Sequence, residues 1–461
     1  MAESHTRLHV AMFPWFAVGH LTPYMHLANN LAEQGHRVTF LHPSNANLLL
    51  SALNAHPDLI TLLPVPVPRV PGLHPDVQTT ADCDSFQTKQ LLATAFDRTA
   101  PLIESFLNES KPDLIFHDFS HWLPRVAKMS KTLAVAFITT SSAGYSWMPM
   151  EKADVYDPDQ LRRLPRDFPH PLVNLRKHEA REVASWFAAQ FGEGVSFYER
   201  ITSAVSNSDA VAFKTSRELE GHFLDYIERK RNKVVLTAGP TLPLPPSAPL
   251  EDDVAAWLGR FGPKSVIFCT FGSQCVLPLV QFQELVLGIE LTGLPFLIAL
   301  KPPAEAESLE AALPDGFRRR TEGRGMVRGG WVQQQLILAH ESAGCFVTHC
   351  GSGSQTEGLV SECQLVLLPH FGDQYINARV MGEDIRVGVE VEKGDEDGLF
   401  DRNGVCRAVK LVMNMEEDGV GKEVKINHDK WRKFLLTPGL ERSCVEEMVG
   451  KLKEMIASKF Q

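Results

Sequence analysis

The sequence predicts an α/β protein built from two parallel-sheet halves, and three observations carry that reading. Short apolar runs alternate with longer amphipathic stretches, the pattern of βα units. Five prolines fall between Gly239 and Asp253, and the same rhythm restarts beyond them. The chain has 461 residues, enough for two domains of ~100–200 residues each.

The elements follow in order. Residues 8–13 read as the first strand, leading into a turn at Gly19-His20. A helix is expected over 24–34, closed by Gly35 at its C-cap. Strands are expected at 38–41, 114–116 and 134–138. Pro240, Pro243, Pro245, Pro246 and Pro249 exclude a central strand or regular helix, so 239–253 reads as a linker. Beyond it, residues 266–270 run into Phe271-Gly272-Ser273, and further strands are expected at 295–300, 345–348 and 365–368. Near the end, Val445, Met448, Val449, Leu452, Met455 and Ile456 recur at helical spacing. The expected organisation is an N-terminal α/β domain over 1–238, the linker 239–253 and a second α/β domain over 254–440. A terminal helix within 441–461 is expected to pack back on the first domain. Two such halves imply a cleft at the carboxyl ends of their strands, where open α/β sheets bind ligands.

Composition narrows the classes. Hydrophobic residues make up 44% and charged residues 22%, which is globular and argues against disorder. A net charge of −10 disfavours a broad basic face for nucleic acid. Eight cysteines without a C-x-x-C pair read as reduced thiols. The first residues lack a secretory pattern, no run of 18 apolar residues exists, and the last four residues carry no lipidation signal. A cytoplasmic, monomeric protein with no membrane span is expected.

The densest chemistry follows the strand at 345–348. His349-Cys350-Gly351-Ser352-Gly353-Ser354 sits where a helix is expected to start, and small residues there let backbone amides approach an anion. A diphosphate cradle is the reading. As a dinucleotide fingerprint the turn fails, because Gln355 and Thr356 follow Gly353 and no third glycine is in place. A zinc site from His340, Cys345, His349 and Cys350 matches no common finger spacing. An isolated G-x-G would be structural. In the first half, His20 stands at the start of a helix, whose positive end disfavours imidazolium and leaves the ring to act as a base. Asp118 ends an apolar run and reads either as an orienting carboxylate or as a helix cap. His117 and His121 flank it and invite a metal reading of low weight.

Trp331, Gln334, Leu338, His340, Gly344, Phe346, His349, Cys350, Gly351, Ser354, Glu357, Pro369, Asp373 and Gln374 fall at the spacings of a 44-residue box. In that respect the chain resembles the plant secondary-product UDP-glycosyltransferases, and the likeness extends over most of its length. The resemblance implies the GT-B fold, two Rossmann-like α/β domains facing across a cleft. It implies that Trp331 stacks on uracil, Gln334 approaches the nucleoside and Glu357 accepts both ribose hydroxyls. His349, Gly351 and Ser354 would hold the diphosphate, with Ser352, Gly353 and Ser273 beside them, while Asp373 and Gln374 bind the sugar. Gly19-His20-Leu21-Thr22-Pro23 resembles the family's Gly-His-x-x-Pro, whose histidine deprotonates the acceptor. Asp118 then orients that histidine, and Thr139 lies near the transferred sugar.

Three departures matter. Ser352 and Gly353 replace the usual aromatic residue and Asn, Glu362-Cys363-Gln364 replaces Gly-Val-Pro, and Gln333 replaces Pro. Gly353 and Cys363-Gln364 resemble the branch-forming group, which adds a sugar to one already present on a flavonoid or terpenoid glycoside. Ser352 departs even from that group and bears on donor choice.

The expected function is therefore inverting transfer of rhamnose, xylose or glucose from a UDP-sugar to a flavonoid or anthocyanin 3-O-glycoside. The UDP-sugar is a co-substrate, and no cofactor or metal is expected. Direct action on an aglycone is the alternative; a nucleotide-sugar-binding protein without transferase activity and an epimerase belong to other classes. The segments 64–75 and 141–150, rich in proline and aromatics, read as walls of an acceptor pocket.

Overall fold

The computed structural model describes residues 7–149, 152–243, 248–272, 275–413 and 419–459. The chain forms two compact units, Met1–Asp157 with Ala184–Thr241 and Gly439–Gln461, and Pro158–Val183 with Leu242–Pro438.

The first unit is a seven-stranded parallel sheet. Its strands are β1 (His9–Phe13), β2 (Arg37–Pro43), β3 (Ile60–Val65), β4 (Leu114–His117), β5 (Leu133–Ile138), β6 (Ala210–Phe213) and β7 (Val234–Thr237), in the order β3-β2-β1-β4-β5-β6-β7. Alternate residues of each strand serve opposite faces. Val10 and Met12 pack with Tyr24, Leu27 and Leu31 of the helix Val18–Glu33 and with Val445, Met448 and Leu452 of the helix Leu440–Lys459. Ala11 and Phe13 pack on the other face with Phe96, Ile103 and Leu123. The helix Val18–Glu33 starts six residues before the expected Tyr24, with Pro23 inside it. A proline this near the N-terminus removes one bond, to the Gly19 carbonyl, and the helix tolerates that loss.

The second unit is a six-stranded parallel sheet of β8 (Val266–Thr270), β9 (Phe296–Ala299), β10 (Gly325–Arg328), β11 (Ala343–Thr348), β12 (Gln364–Leu367) and β13 (Gly388–Glu390), ordered β10-β9-β8-β11-β12-β13. Ile267, Cys269, Val347 and Val366 pack under the helices Leu279–Leu291 and Arg402–Met413.

Residues 158–183 group with the second unit, although a boundary at 238 assigns them to the first. Side-chain bonding explains the difference. Arg379 grips the buried Glu179 at 2.7 and 2.9 Å, Arg176 meets Glu390 at 2.9 Å, and Tyr375 donates to Glu182 at 2.6 Å. Of the expected linker, Asp252 onward is already helix, and Pro245 and Pro246 lie outside the described residues.

Each sheet reverses its strand order once, between β1 and β4 and between β8 and β11. Open α/β sheets bind ligands at the carboxyl end of such a switch point. The register aligns Phe13 with His117 and Thr270 with Thr348, so His20 and Asp118 follow one switch point and Gly272 and His349 the other.

Candidate active site

In the first unit, β1 and β4 deliver an imidazole and a carboxylate to one place. His20 lies in the first turn of the helix Val18–Glu33, and Asp118 directly follows β4. His20 Nδ1 stands 2.6 Å from Asp118 Oδ2, with the side chains 19% and 2% exposed. The other carboxylate oxygen accepts from the backbone N–H of Trp15 at 2.8 Å and of Phe119 at 2.6 Å. Asp118 caps no helix, because the next one begins only at Leu123. The Thr139 hydroxyl lies 3.3 Å from His20 Nδ1. Phe119 stands edge-on to the imidazole at 5.3 Å, a packing partner that no motif indicates.

His117 serves the structure. Its ring nitrogens meet the hydroxyls of Ser208 at 2.8 Å and Ser120 at 3.0 Å, and burial lowers its pKa to about 4. His121 faces Asp97 at 3.8 Å. Among the described residues no three His, Cys, Asp or Glu side chains are grouped to hold a metal. In the segment 141–149, Tyr145 and Trp147 are buried, and Tyr145 packs on Phe213 of β6. That part of the expected pocket wall is core; Met150 lies outside the described residues.

In the second unit, β11 ends at Thr348 and the helix Ser352–Val360 opens after Gly351. Its first bond within the helix runs from Gln355 N to Gly351 O, so the amides of Gly353 and Ser354 stand outside the helix's own ladder. His349 is buried, which lowers its pKa to about 4 and keeps it neutral at pH 7. Its ring lies against two glycines: a Cβ on Gly351 would come 2.4 Å from Nε2, and one on Gly272 would come 3.1 Å from Cε1. Between them Cys350 adopts φ +64°, a left-handed conformation rare for a side-chain-bearing residue. Asn377, which no motif indicates, holds that turn by donating to Cys350 O at 3.0 Å and to Asp373 Oδ2 at 3.1 Å.

One turn along the helix, Gln334 Nε2 donates to Ser354 Oγ at 3.2 Å and Glu357 Oε2 at 2.5 Å, and Gln335 Nε2 donates to Glu357 Oε1 at 3.2 Å. Burial raises the Glu357 pKa, and the two amide bonds oppose the rise. Trp331 is 81% exposed, an open aromatic face near this group in sequence. Gln374 is buried, and its carbonyl oxygen accepts from the His370 and Phe371 amides at 3.0 and 3.2 Å, leaving its amide nitrogen to offer. Ser352 and Gly353 open the helix, and Ser273 lies outside the described residues. Thus His20, Asp118 and Thr139 meet in one unit, and Gln334, Ser354 and Glu357 meet in the other beside the His349–Gly351 turn.

No helix among the described residues is long and apolar enough to cross a membrane. A family model described as UDP-glucoronosyl and UDP-glucosyl transferase matches residues 313–435. The chain is 47% identical over 461 residues to an anthocyanidin 3-O-glucoside 2''-O-glucosyltransferase of Ipomoea nil, covering 99% of this chain and 100% of the relative. It is 48% identical over 453 residues to a cyanidin 3-O-galactoside 2''-O-xylosyltransferase of Actinidia chinensis var. chinensis, covering 97% and 98%. A crystal structure of a UDP-glucose: anthocyanidin 3-O-glucosyltransferase in complex with UDP superimposes with a TM-score of 0.76 at 25% identity, covering 98% of this chain and 99% of that one. Identity near one half over the whole length, together with the two parallel α/β units, makes this chain a member of the plant UDP-glycosyltransferases, with the GT-B fold.

Proposed function

We propose that the enzyme transfers a sugar from a UDP-sugar, with inversion, to a sugar hydroxyl of an anthocyanin or flavonoid 3-O-glycoside. The 2.6 Å pairing of His20 with Asp118 carries the mechanism. Asp118 takes Nδ1, which leaves Nε2 to remove the proton of the acceptor hydroxyl as that oxygen attacks the anomeric carbon. The carboxylate fixes the ring's orientation and stabilises the imidazolium that forms, the division of labour found in Ser-His-Asp triads. On the leaving-group side, Gly351, Ser352, Gly353 and Ser354 supply amides and hydroxyls to the diphosphate, with Ser273 and the neutral His349 beside them. Charge that develops on UDP meets fixed dipoles already in place. Trp331 stacks on uracil, Glu357 and Gln334 take the ribose, and Asp373 and Gln374 take the sugar, with Thr139 near it.

The glycoside acceptor rests on the relatives, whose names specify 3-O-glucoside and 3-O-galactoside acceptors and transfer of glucose or xylose. Those names favour glucose and xylose over rhamnose as the donor sugar here. We place the enzyme in the cytoplasm as a monomer. It needs no metal, because backbone dipoles and neutral side chains carry the diphosphate; turnover in excess EDTA should equal turnover with Mg²⁺, and a metal-reversible loss would refute this.

The acceptor test compares a flavonol or anthocyanidin with its 3-O-glucoside under UDP-glucose, UDP-xylose and UDP-rhamnose. A site built to hydrogen-bond a sugar leaves buried polar groups unpaired when the sugar is missing, worth up to roughly 10⁴–10⁵ in kcat/KM. The glucoside should be the better acceptor. If the aglycone wins with every donor, the glycoside claim fails and the transferase reading stands.

A further inference from the structure

Beside the His20–Asp118 pair lies an ion pair with no part in the reaction as described. Arg200, on the helix Phe197–Asn207, is 0% exposed. It meets Asp97 through two parallel bonds, Nη1 to Oδ1 at 2.9 Å and Nη2 to Oδ2 at 2.5 Å. Nε donates to Phe191 O at 2.6 Å, and Nη1 donates also to Phe119 O at 2.8 Å. Asp97 further accepts from Trp122 Nε1 at 3.2 Å and from the Glu193 amide at 3.1 Å. The backbone gives way to this pair: at Gly192, with φ +101°, a Cβ would fall 1.9 Å from Arg200 Nη2 and 2.3 Å from Asp97 Oδ2. Desolvating two charges is seldom a net stability gain over packed apolar side chains, so a role in positioning is the better account of the pair.

What the pair holds is the loop that carries Asp118. The Phe119 carbonyl is bound by Arg200 and the Phe119 N–H by Asp118 Oδ1, so the two peptide groups that flank the Phe119 Cα are both held. At the far end of the loop, Trp122 is tied to Asp97. The Phe119 ring stacks on Trp15 at 5.7 Å, and the Trp15 N–H is the second donor to Asp118 Oδ1. With Oδ1 committed to two amides, Oδ2 is left for His20. We propose that Arg200 and Asp97 are positioning residues: they fix the backbone of Phe119 through its carbonyl and thereby aim the Asp118 carboxylate at His20. This rests on the His20–Asp118 reading given above.

The test is a double-mutant comparison. Arg200→Lys keeps the charge but loses the fork that reaches Asp97 and the Phe119 carbonyl together. Trp122→Phe removes the bond to Asp97 and keeps an aromatic ring, though a smaller one, against Phe13 and Phe96. Each is made alone and on Asp118→Asn, with kcat, KM and UDP affinity measured. Arg200→Lys should lower kcat about 10–100-fold, the scale of a small misplacement of a reacting group, with UDP affinity unchanged. On the Asp118→Asn background the same substitution should change kcat less than about threefold, because there is no carboxylate left to aim. Trp122→Phe should show a smaller loss with the same dependence on Asp118, and it decides the matter if Arg200→Lys does not fold. A loss that persists in full on Asp118→Asn, or wild-type kcat in both single variants, overturns the positioning role. If Asp118→Asn alone leaves kcat unchanged, the role of Asp118 itself falls, and the lock with it.

Discussion

Gly351 and Gly353 stand two residues apart at one helix N-terminus, yet they should respond oppositely to an added methyl group. On Gly351 a Cβ would come 2.4 Å from His349 Nε2 and 3.2 Å from both Cδ2 and Cε1. The imidazole is buried and packed beside the Phe271 ring, so a methyl group there displaces packed atoms rather than solvent. Overpacking of this kind costs about 1–3 kcal/mol. If the cradle absorbs that strain, Gly351→Ala should bind UDP about 5- to 150-fold more weakly. Around Gly353, by contrast, no atom of the described residues beyond its chain neighbours and its own helix backbone lies within 4 Å of the Cβ position. Alanine there sits in the helix Ser352–Val360, where it is favoured over glycine by up to about 1 kcal/mol. Gly353→Ala should therefore hold or raise Tm and leave UDP affinity within about twofold, as exposed substitutions do. Calorimetry with UDP at pH 7, where His349 is neutral, reads both variants, and Tm reports whether each is folded. Wild-type affinity in Gly351→Ala, or equal losses in the two, would exclude a tight packing of Gly351 on His349 at the UDP site.

Trp331→Ala should weaken UDP binding about 5- to 150-fold, from a stacking contribution of ~1–3 kcal/mol per base. Because the ring is 81% exposed, Tm should not change, and unchanged affinity would remove the stacking role. Glu357→Ala should likewise weaken every UDP-sugar alike, by about 10-fold or more if both ribose bonds to the carboxylate are lost; equal affinity for UDP would sink that assignment. Stability should fall with pH on the acid side. His117 and His349 are held by burial at about 4 against an ordinary 6.5, so the folded state favours their neutral forms. The stabilisation is full above 6.5 and is lost as pH falls toward 4, by up to about 1.4 kcal/mol per pH unit for each group. Urea midpoints between pH 7 and 4.5 measure this. His117→Gln, which removes the titrating ring and keeps an amide at about the reach of Nε2 toward Ser208, should flatten the profile, and an unchanged slope would exclude His117 as a contributor.

Where the sequence is punctuated, its elements are legible; where tertiary contacts decide, they are not. The strand Val266–Thr270 is five apolar or β-favouring residues between Ser265 and the Phe271-Gly272 turn, and it lies where its pattern places it. Ile60–Val65 escapes because Pro64 argues against a strand, yet β3 is a sheet edge paired through His42–Pro64, where a missing N–H costs little. Ala210–Phe213 and Gly388–Glu390 are too short to stand out from buried helix by periodicity. The switch-point residues are legible as motifs, since Asp118 and His349 follow a strand directly and His20 and Gly272 stand a few residues beyond one. The grip on Asp118 is not: Arg200 is separated from Asp97 by 103 residues, and no local pattern links a helix-end carboxylate to an arginine on another helix. The same holds for residues 158–183, whose place depends on Arg379 and Tyr375, about two hundred residues away.

Transfer depends above all on His20 as the base, and the most direct test is turnover of His20→Ala beside its affinity for UDP. The residues assigned to UDP belong to the second unit and His20 to the first, so the variant should bind UDP as the wild type does. Loss of a general base typically costs about 10²–10⁴-fold in rate, and kcat for the glucoside acceptor should fall by that much. Near-wild-type turnover in a folded, UDP-binding His20→Ala enzyme would contradict the account.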